Sequence, residues 1–273
     1  LSQQIPLAAV IGFPVAHSRS PRLHGHWLAR YGIAGHYVPL AIAPQDFAQA
    51  LAQLPRMGFV GANVTIPHKE TALALADRVT PLADRIGAAN TLLFTPDGIE
   101  ADNTDAYGFT QNIREGLPGW SPRRVALIGA GGASRAVIVA LQDAGAQDIL
   151  LTNRSPDRAL DLAADFGPGV TPVPWRDRQA MLDGCDTLVN ATSLGMTGQP
   201  ALDLDLGALP VSAVVNDLVY APLETPLLAA ARARGNLGID GLGMLLHQAA
   251  PGFERWFGIR PTVDQDLRKA VLA

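Results

Sequence analysis

Cysteine is almost absent from this sequence: Cys185 is the only one among 273 residues. An intramolecular disulfide is therefore impossible, and nothing in the composition asks for an oxidising compartment. Charge is also sparse at 17%, with 21 basic against 25 acidic side chains and a net of -4. No block of like charge occurs, which argues against a nucleic-acid surface. No apolar run approaches the roughly 20 residues that span a bilayer. The opening segment "LSQQIPLAAV" lacks the charged leader and continuous apolar core of a secretory signal. A G-x-S-x-G elbow is missing, so a serine hydrolase has no support. No metal site is expected either. His24 and His26, two apart on a helix, point in different directions, His17, His36, His68 and His247 are scattered, and Cys185 has no neighbour at metal-ligand spacing. What remains is a soluble, cytoplasmic protein whose partner is a small molecule.

What is present is a rhythm. Hydrophobic residues make up 48% of the chain, enough for one large or two medium domains at roughly 150 residues each. "LAAVIGF" (7–13) reads as a buried strand, followed by a helix with Ser20 as N-cap, Pro21 at its first position and Gly32 near its end. "HYVPLAI" is a second strand, "PQDFAQALAQL" a helix, and "GANVTI" a third strand running into a helix opened by Pro67. Alternation of this kind implies a parallel sheet. It is broken once, where two short extended segments flank Asp97-Gly98, a hairpin turn pair that predicts an antiparallel edge.

Alternation resumes after "PGWSPRR". The strand "VALIG" leads to a helix at 133–144, then "DILLTN", a helix from Ser155, "DTLVNAT", "AVVNDLV" and the helix "TPLLAAARARG". That succession predicts a doubly wound nucleotide-binding domain. Two helical patterns close the chain, "GMLLHQAAPGFERWFG" and "PTVDQDLRKAVLA", the second with Thr262 and Gln265 at capping-box spacing.

Gly129, Gly131 and Gly132 in "VALIGAGGASRA" lie between a strand and a helix whose apolar positions keep the helical period. Such glycines permit a tight turn and close backbone approach, and the helix N-terminus offers N–H groups to a pyrophosphate. Ser134 stands where the usual fingerprint has a third Gly or Ala. At the end of the next strand a site for NAD usually carries an acidic residue; here stand Asn153, Arg154 and Ser155, with Arg158 beyond. Guanidinium groups bind a 2'-phosphate that a carboxylate would repel, so NADP is the expected cofactor. Arg158 alone also reads as a solvated helix charge.

Pro67 is followed at once by His68 and Lys69, so a helix opened by Pro67 has Lys69 in its first turn. A cation in the first turn of a helix is disfavoured by the helix dipole, so this lysine is either well solvated or held there for a reason. Ser18 with Ser20, and Asn63 with Thr65, are spaced by two, which in extended backbone puts each pair on one side. Four small hydrogen-bonding groups at one sheet edge would suit a polyhydroxy acid. Each alone has a local alternative, Ser20 as a cap and Asn63 and Thr65 as partners of nearby backbone.

Nearly the whole chain resembles the shikimate dehydrogenase family, through "GFPVAHSRSPRLH", "GANVTIPHK", "AANTL", "NTDAYGF", "GAGGASRA", "TNRSPDRA", "NATSLGM", "VVNDLVYAPLETPLL" and "GLGMLLHQAAPGFERWFG". The resemblance implies an oxidoreductase that reduces 3-dehydroshikimate to shikimate with NADP, in the aromatic amino-acid (chorismate) pathway. It implies two α/β domains: a mostly parallel substrate domain from residues 1–104 and 239–273, to which the C-terminal helices return, and a Rossmann-like NADP domain from 105–238, facing each other across a cleft. By position, Lys69 and Asp105 match the catalytic pair. Ser18 and Ser20 match the carboxylate site, and Asn63, Thr65, Asn90 and Gln248 the ring-hydroxyl site. Gly129, Ala130, Gly131, Gly132 and Ala133 match the phosphate loop, and Asn153, Arg154, Ser155 and Arg158 the adenosine phosphate site. Thr192, Ser193, Met196 and Gly243 fall in motifs lining the nicotinamide end, with Tyr220 on the substrate side. Gly25 stands where the family pattern has Asn after the histidine, which bears on a local helix contact. A monomer or homodimer is implied. Two rivals share the scaffold: a quinate/shikimate dehydrogenase accepting NAD, and a catalytically silent ligand sensor, against which the presence of both Lys69 and Asp105 speaks.

Overall fold

A computed structural model describes residues 5–273. The reading of the opening segment as leaderless falls in part on residues 1–4, which lie outside the described residues. Packing divides the chain into two units, Leu1–Gly108 with Leu245–Ala273, and Phe109–Met244. The first unit contains β1 (Leu7–Gly12), α1 (Ser20–Arg30), β2 (His36–Ala41), α2 (Phe47–Gln53), β3 (Phe59–Val64), α3 (Lys69–Ala74), β4 (Arg78–Val79), α4 (Pro81–Ile86), β5 (Thr91–Thr95) and β6 (Gly98–Asp102). Helix α5 (Asp105–Gly116) leads into the second unit, which holds β7 (Arg124–Ile128), α6 (Gly132–Asp143), β8 (Asp148–Thr152), α7 (Pro156–Phe166), β9 (Val170–Val173), β10 (Thr187–Asn190), β11 (Val214–Asp217), α8 (Pro226–Arg234) and β12 (Leu237–Ile239). Helix α9 (Leu242–Phe257) returns to the first unit, and α10 (Gln265–Leu272) ends the chain. Both crossings fall inside helices, α5 and α9, a few residues beyond the expected boundaries at 104/105 and 238/239. A continuous helix shows no break in composition at which a boundary could be read.

The first sheet has the order β2-β1-β3-β5-β6-β4. β1 pairs in parallel with β2 and β3, while β5 runs antiparallel to both β3 and β6. Pro96 and Asp97 make the turn between β5 and β6, one residue earlier than the expected Asp97-Gly98 pair, and Gly98 opens β6 at φ 115, a conformation that glycine adopts without strain. One face of the sheet buries Ile11, Phe47, Leu51, Val64 and Leu92. Helix α9 docks on this unit through Trp256, whose indole N–H donates to the Leu92 carbonyl at 2.9 Å. Gly61 makes that approach possible, since a Cβ there would lie 2.0 Å from the indole nitrogen.

The second sheet is wholly parallel, with the order β12-β11-β10-β7-β8-β9. Val125 to Ile128 are fully buried, as expected of a central strand covered on both faces. The chain winds outward from β7 to β9 and then returns to the other side of β7 as β10. That reversal creates a crevice at the carboxyl ends of β7 and β10, where open α/β sheets bind ligands.

Several local expectations are corrected. Pro67 does not open a helix: it lies in a turn after β3, and Lys69 is the first residue of α3. Ser20 is not the cap of α1. Arg19 occupies that position, and the Ser20 N–H donates to Ser18 Oγ at 3.3 Å. The cap of α10 is Asp264, which accepts from Leu267 N–H at 3.0 Å, so Thr262 lies outside the helix. Strands β4, β9 and β12 are too short for an alternating pattern to register. Helix α4 does carry its signals, with Thr80 as cap accepting from Ala83 N–H and Gly87 left-handed at its end.

Candidate active site

In the first unit the carboxyl ends of β1, β3 and β6 and the amino end of β5 share one sheet edge, because Ile11 stands opposite Val64, Asn63 opposite Thr91, and Thr91 opposite Asp102. The loops leaving that edge carry the side chains the sequence singled out. Lys69 Nζ donates to Asp105 Oδ2, and the two side chains are only 15% and 9% exposed. The lysine is thus neither solvated nor idle: its charge is matched by a buried carboxylate. Breaking one partner of such a pair leaves an uncompensated buried charge.

Asp105 is held from both sides. Its N–H donates to Asn103 Oδ1 at 2.9 Å, and Asn103 Nδ2 donates to the Ala88 carbonyl at 2.8 Å. Its second carboxylate oxygen accepts from Asn90 Nδ2 at 2.8 Å. The same amide nitrogen reaches Gln248 Oε1 at 3.1 Å. Asn90 Oδ1 accepts from Thr104 N–H at 2.8 Å and from the Thr91 hydroxyl at 2.9 Å. Asn63 joins the network by donating to the Asn90 carbonyl and to Thr91 Oγ1, both at 3.2 Å. Lys69, Asp105, Asn63, Asn90 and Gln248 are therefore brought into one connected cluster. Thr65 lies one residue past β3, half-buried, with its methyl group filling the space above Gly12. Ser20 is buried and Ser18 half-buried where α1 begins. The chemistry available is that of a charged proton donor held by a carboxylate, beside a set of neutral hydrogen-bonding groups.

Sequence reasoning missed Asn103, Thr104 and Thr91 here, and also Tyr37, whose hydroxyl donates to Asn63 Oδ1 at 2.7 Å. The "NTD" triplet preceding α5 was a usable signal, because Asn before a helix start often bonds backbone two residues on. Tyr37 in a strand carried no signal.

In the second unit, Gly129 follows β7 at φ 108. A Cβ there would stand 2.9 Å from Thr192 Cγ2 and 3.0 Å from the Ala191 carbonyl oxygen, so both conformation and space require glycine. Gly131 precedes α6 in extended conformation, and a Cβ on it would meet nothing within 4 Å. That open cradle lies before a helix of 12 residues, whose first-turn N–H groups, those of Gly132 and Ala133 among them, have no intrahelical acceptor. Ser134, in the place of the third glycine, ties the loop: it donates to the Gly129 carbonyl at 2.7 Å and accepts from Gly131 N–H at 3.2 Å. Asn153 has a comparable task, accepting from Ala130 N–H at 3.1 Å and donating to the Ser155 carbonyl at 2.9 Å. Arg154 and Arg158 are exposed, as is Ser155, and among the described residues neither arginine forms an ion pair. A glycine-lined cradle, a helix N-terminus and two uncommitted guanidinium groups fit a dinucleotide with an extra phosphate.

A buried polar chain at the ends of β10 and β11, unmarked in the sequence reading, shapes the loop after β10. Asn190 Oδ1 accepts from the N–H and hydroxyl of Thr192, and Asn190 Nδ2 donates to Asp217 Oδ1 at 2.9 Å. Thr225 donates to Asp217 Oδ2 at 2.6 Å. Burial raises the pKa of the Asp217 carboxyl above its ordinary value. Met196 is 40% exposed, and its N–H donates to the Ser193 carbonyl. Gly243 has a packing reason of its own, since a Cβ there would collide with the Asn112 side chain. Tyr220 is half-buried beyond β11.

No helix among the described residues is long and apolar enough to cross a membrane, and no group of three metal-ligating side chains occurs among them. Comparison with known proteins matches three family models: the shikimate dehydrogenase substrate binding domain over residues 10–92, shikimate / quinate 5-dehydrogenase over 112–196, and the shikimate 5'-dehydrogenase C-terminal domain over 241–271. A shikimate dehydrogenase (NADP(+)) of Paramagnetospirillum magneticum is 59% identical over 276 residues, covering 100% of both chains. Among solved structures, quinate dehydrogenase from Corynebacterium glutamicum in complex with NAD superposes with a TM-score of 0.92 at 33% identity, covering 99% of each chain. Shikimate 5-dehydrogenase from Thermus thermophilus in complex with NADP(H) and shikimate superposes with a TM-score of 0.88 at 38% identity, covering 98% of this chain and 99% of that one. With its two sheets, its glycine cradle and its buried lysine–aspartate pair each lying in matched or adjoining segments, the chain belongs to the shikimate dehydrogenase family.

Proposed function

We propose that this chain catalyses the reversible, NADP-dependent reduction of 3-dehydroshikimate to shikimate, within aromatic amino-acid biosynthesis. The observation that carries the reading is the Lys69–Asp105 pair, buried in a network with Asn63, Asn90 and Gln248 at one edge of the first sheet. In this reading the first unit takes the substrate and the second the cofactor. Ser18 and Ser20 receive the carboxylate, and Thr65 with the three amides receives the ring hydroxyls. Gly129 to Ala133 face the pyrophosphate, and Asn153 to Ser155 with Arg158 take the adenosine phosphate. Thr192, Ser193, Met196 and Gly243 border the nicotinamide, and Tyr220 lies on the substrate side.

NADPH supplies the hydride that reduces the carbonyl carbon. As negative charge develops on the carbonyl oxygen, Lys69 donates a hydrogen bond and then its proton, so that carbon gains hydride and oxygen gains a proton. Asp105 keeps the ammonium aimed and offers its carboxylate to a neighbouring hydroxyl. Asn90 and Asn103 hold Asp105 in place, so the pair needs no rearrangement when charge appears.

The test is NADPH oxidation with 3-dehydroshikimate, with parallel assays on quinate and with NAD. Turnover of 3-dehydroshikimate with strong preference for NADP is expected, and a folded chain inactive on both acids would overturn the enzyme reading in favour of a ligand sensor. The reading places the enzyme in the cytoplasm as a monomer or homodimer. Cell fractionation and light scattering check those two points.

A further inference from the structure

Asp217 ends β11 and stands directly opposite Asn190, which ends β10. Both side chains are fully buried. Among the described residues Asp217 forms no ion pair, and its partners are all neutral. Oδ1 accepts from Asn190 Nδ2 at 2.9 Å and from Val219 N–H at 3.0 Å, while Oδ2 accepts from the Thr225 hydroxyl at 2.6 Å. Burial pushes the carboxyl above its ordinary range, and these three bonds pull it back. Burying a carboxylate without a cation is costly. A carboxamide would not serve in its place. With its oxygen kept on Asn190 and Val219 it would turn an NH2 toward Thr225, whose hydroxyl proton would lose its acceptor.

What the carboxylate holds is two loops. Asn190 governs the first: its Oδ1 accepts from the Thr192 N–H and hydroxyl, its Nδ2 also donates to the Leu194 carbonyl at 3.1 Å, and Thr192 Oγ1 accepts from Leu194 N–H at 3.0 Å. Val219 and Thr225 bound the second, where Thr225 also caps α8. The loops are stitched together by Leu218 N–H on the Asn190 carbonyl at 3.0 Å and Thr197 N–H on the Ala221 carbonyl at 2.8 Å. Thr192 in turn leaves no room for a Cβ on Gly129 of the glycine loop. The β10–β11 ladder already joins the two strands as far as this pair. The buried charge therefore adds order beyond the sheet, in the loops that leave it.

We propose that Asp217 is a positioning residue for hydride transfer, its buried carboxylate locking the loop of Thr192, Ser193 and Met196 in the arrangement that receives the nicotinamide ring. The proposal rests on the function given above. Asp217 acts through Asn190 and touches neither the glycine cradle nor Arg154 by any of these contacts, so its loss falls on the nicotinamide end and spares the adenosine phosphate end.

The test compares Asp217→Asn, Thr225→Val and Thr225→Ser with the wild type. It measures kcat, the isotope effect on kcat with NADPH deuterated at the transferred position, and the affinity for the NADP fragment that lacks the nicotinamide. Asp217→Asn is expected to lower kcat by about tenfold to a hundredfold, the scale of a small misplacement of reacting groups. Its isotope effect should be at least as large as that of the wild type, and fragment affinity should stay within about twofold, which also shows that the nucleotide unit is folded. Thr225→Val should behave in the same way, and Thr225→Ser, which keeps the hydroxyl, should resemble the wild type. An unchanged kcat, a smaller isotope effect, a matching loss of fragment affinity, or failure of both Asp217→Asn and Thr225→Val to fold would each overturn the proposal. Failure of the wild-type chain to turn over 3-dehydroshikimate with NADPH would instead overturn the functional reading itself, so the two outcomes are distinct.

Discussion

Lys69 Nζ donates to the carboxylate of Asp105, a residue 36 positions further along the chain, and both side chains are largely withdrawn from water. If this pair acts on the transition state, Lys69→Ala should lower kcat by about a hundredfold to ten-thousandfold and change KM far less. Asp105→Asn, which keeps shape and removes charge, should also lower kcat. The double variant should lose less than the product of the single losses, because groups acting as one unit are not additive. Circular dichroism on each variant separates lost chemistry from the cost of leaving a buried charge unpaired. A near-normal kcat with a raised KM would make Lys69 a binding cation only.

Arg154 stands at the end of β8, exposed and without an ion-pair partner among the described residues. Losing a charge-assisted phosphate contact costs on the order of 1.5 to 3 kcal/mol. Arg154→Ala should therefore weaken NADP binding by roughly tenfold to a hundredfold, with little effect on NAD. Titration calorimetry with both cofactors checks this, and equal losses would point to a role in the fold.

Two glycines of the same loop should respond differently to alanine. Gly129 has φ 108 and no room for a Cβ beside Thr192 and Ala191. Gly129→Ala should destabilise the protein by about 1 to 3 kcal/mol or more, the cost of a strained backbone position, and lower its melting temperature. Gly131 has ordinary backbone and open space for a Cβ. Gly131→Ala should melt normally and bind NADP more weakly, because the added methyl enters the cradle.

His24 couples stability to pH. Its folded pKa of about 3 lies below the unfolded value of 6.5, so the unfolded chain takes up the proton first. The stability it contributes is whole above pH 6.5 and is lost progressively as pH falls toward 3. Between pH 7.5 and 5 the loss should be about 2 kcal/mol, at 1.36 kcal/mol per unit. Urea unfolding at both pH values should show His24→Phe losing less stability than the wild type over that interval.

The alternation of strands and helices was enough to place both sheets, because buried parallel strands need continuous apolar runs and the helices between them need one apolar face. The glycine loop was legible for the same reason: a strand, a tight turn and a helix start leave few alternatives. Lys69, Asp105, Asn63 and Gln248 could be named from motifs, but not joined, since they lie far apart in the chain and only the pairing of β3 with β5 and β5 with β6, with α9 packed back on the first unit, makes them neighbours. Tertiary structure also decided what local patterns misassigned. Thr262 had the spacing of a cap, yet Asp264 performs it. Pro67 had the look of a helix start, yet it lies in the turn before α3. Tyr37, His24, Asn190 and Asp217 had no legible role at all, because a buried polar side chain is defined by the partner it finds across the fold, and local sequence carries only propensity and period.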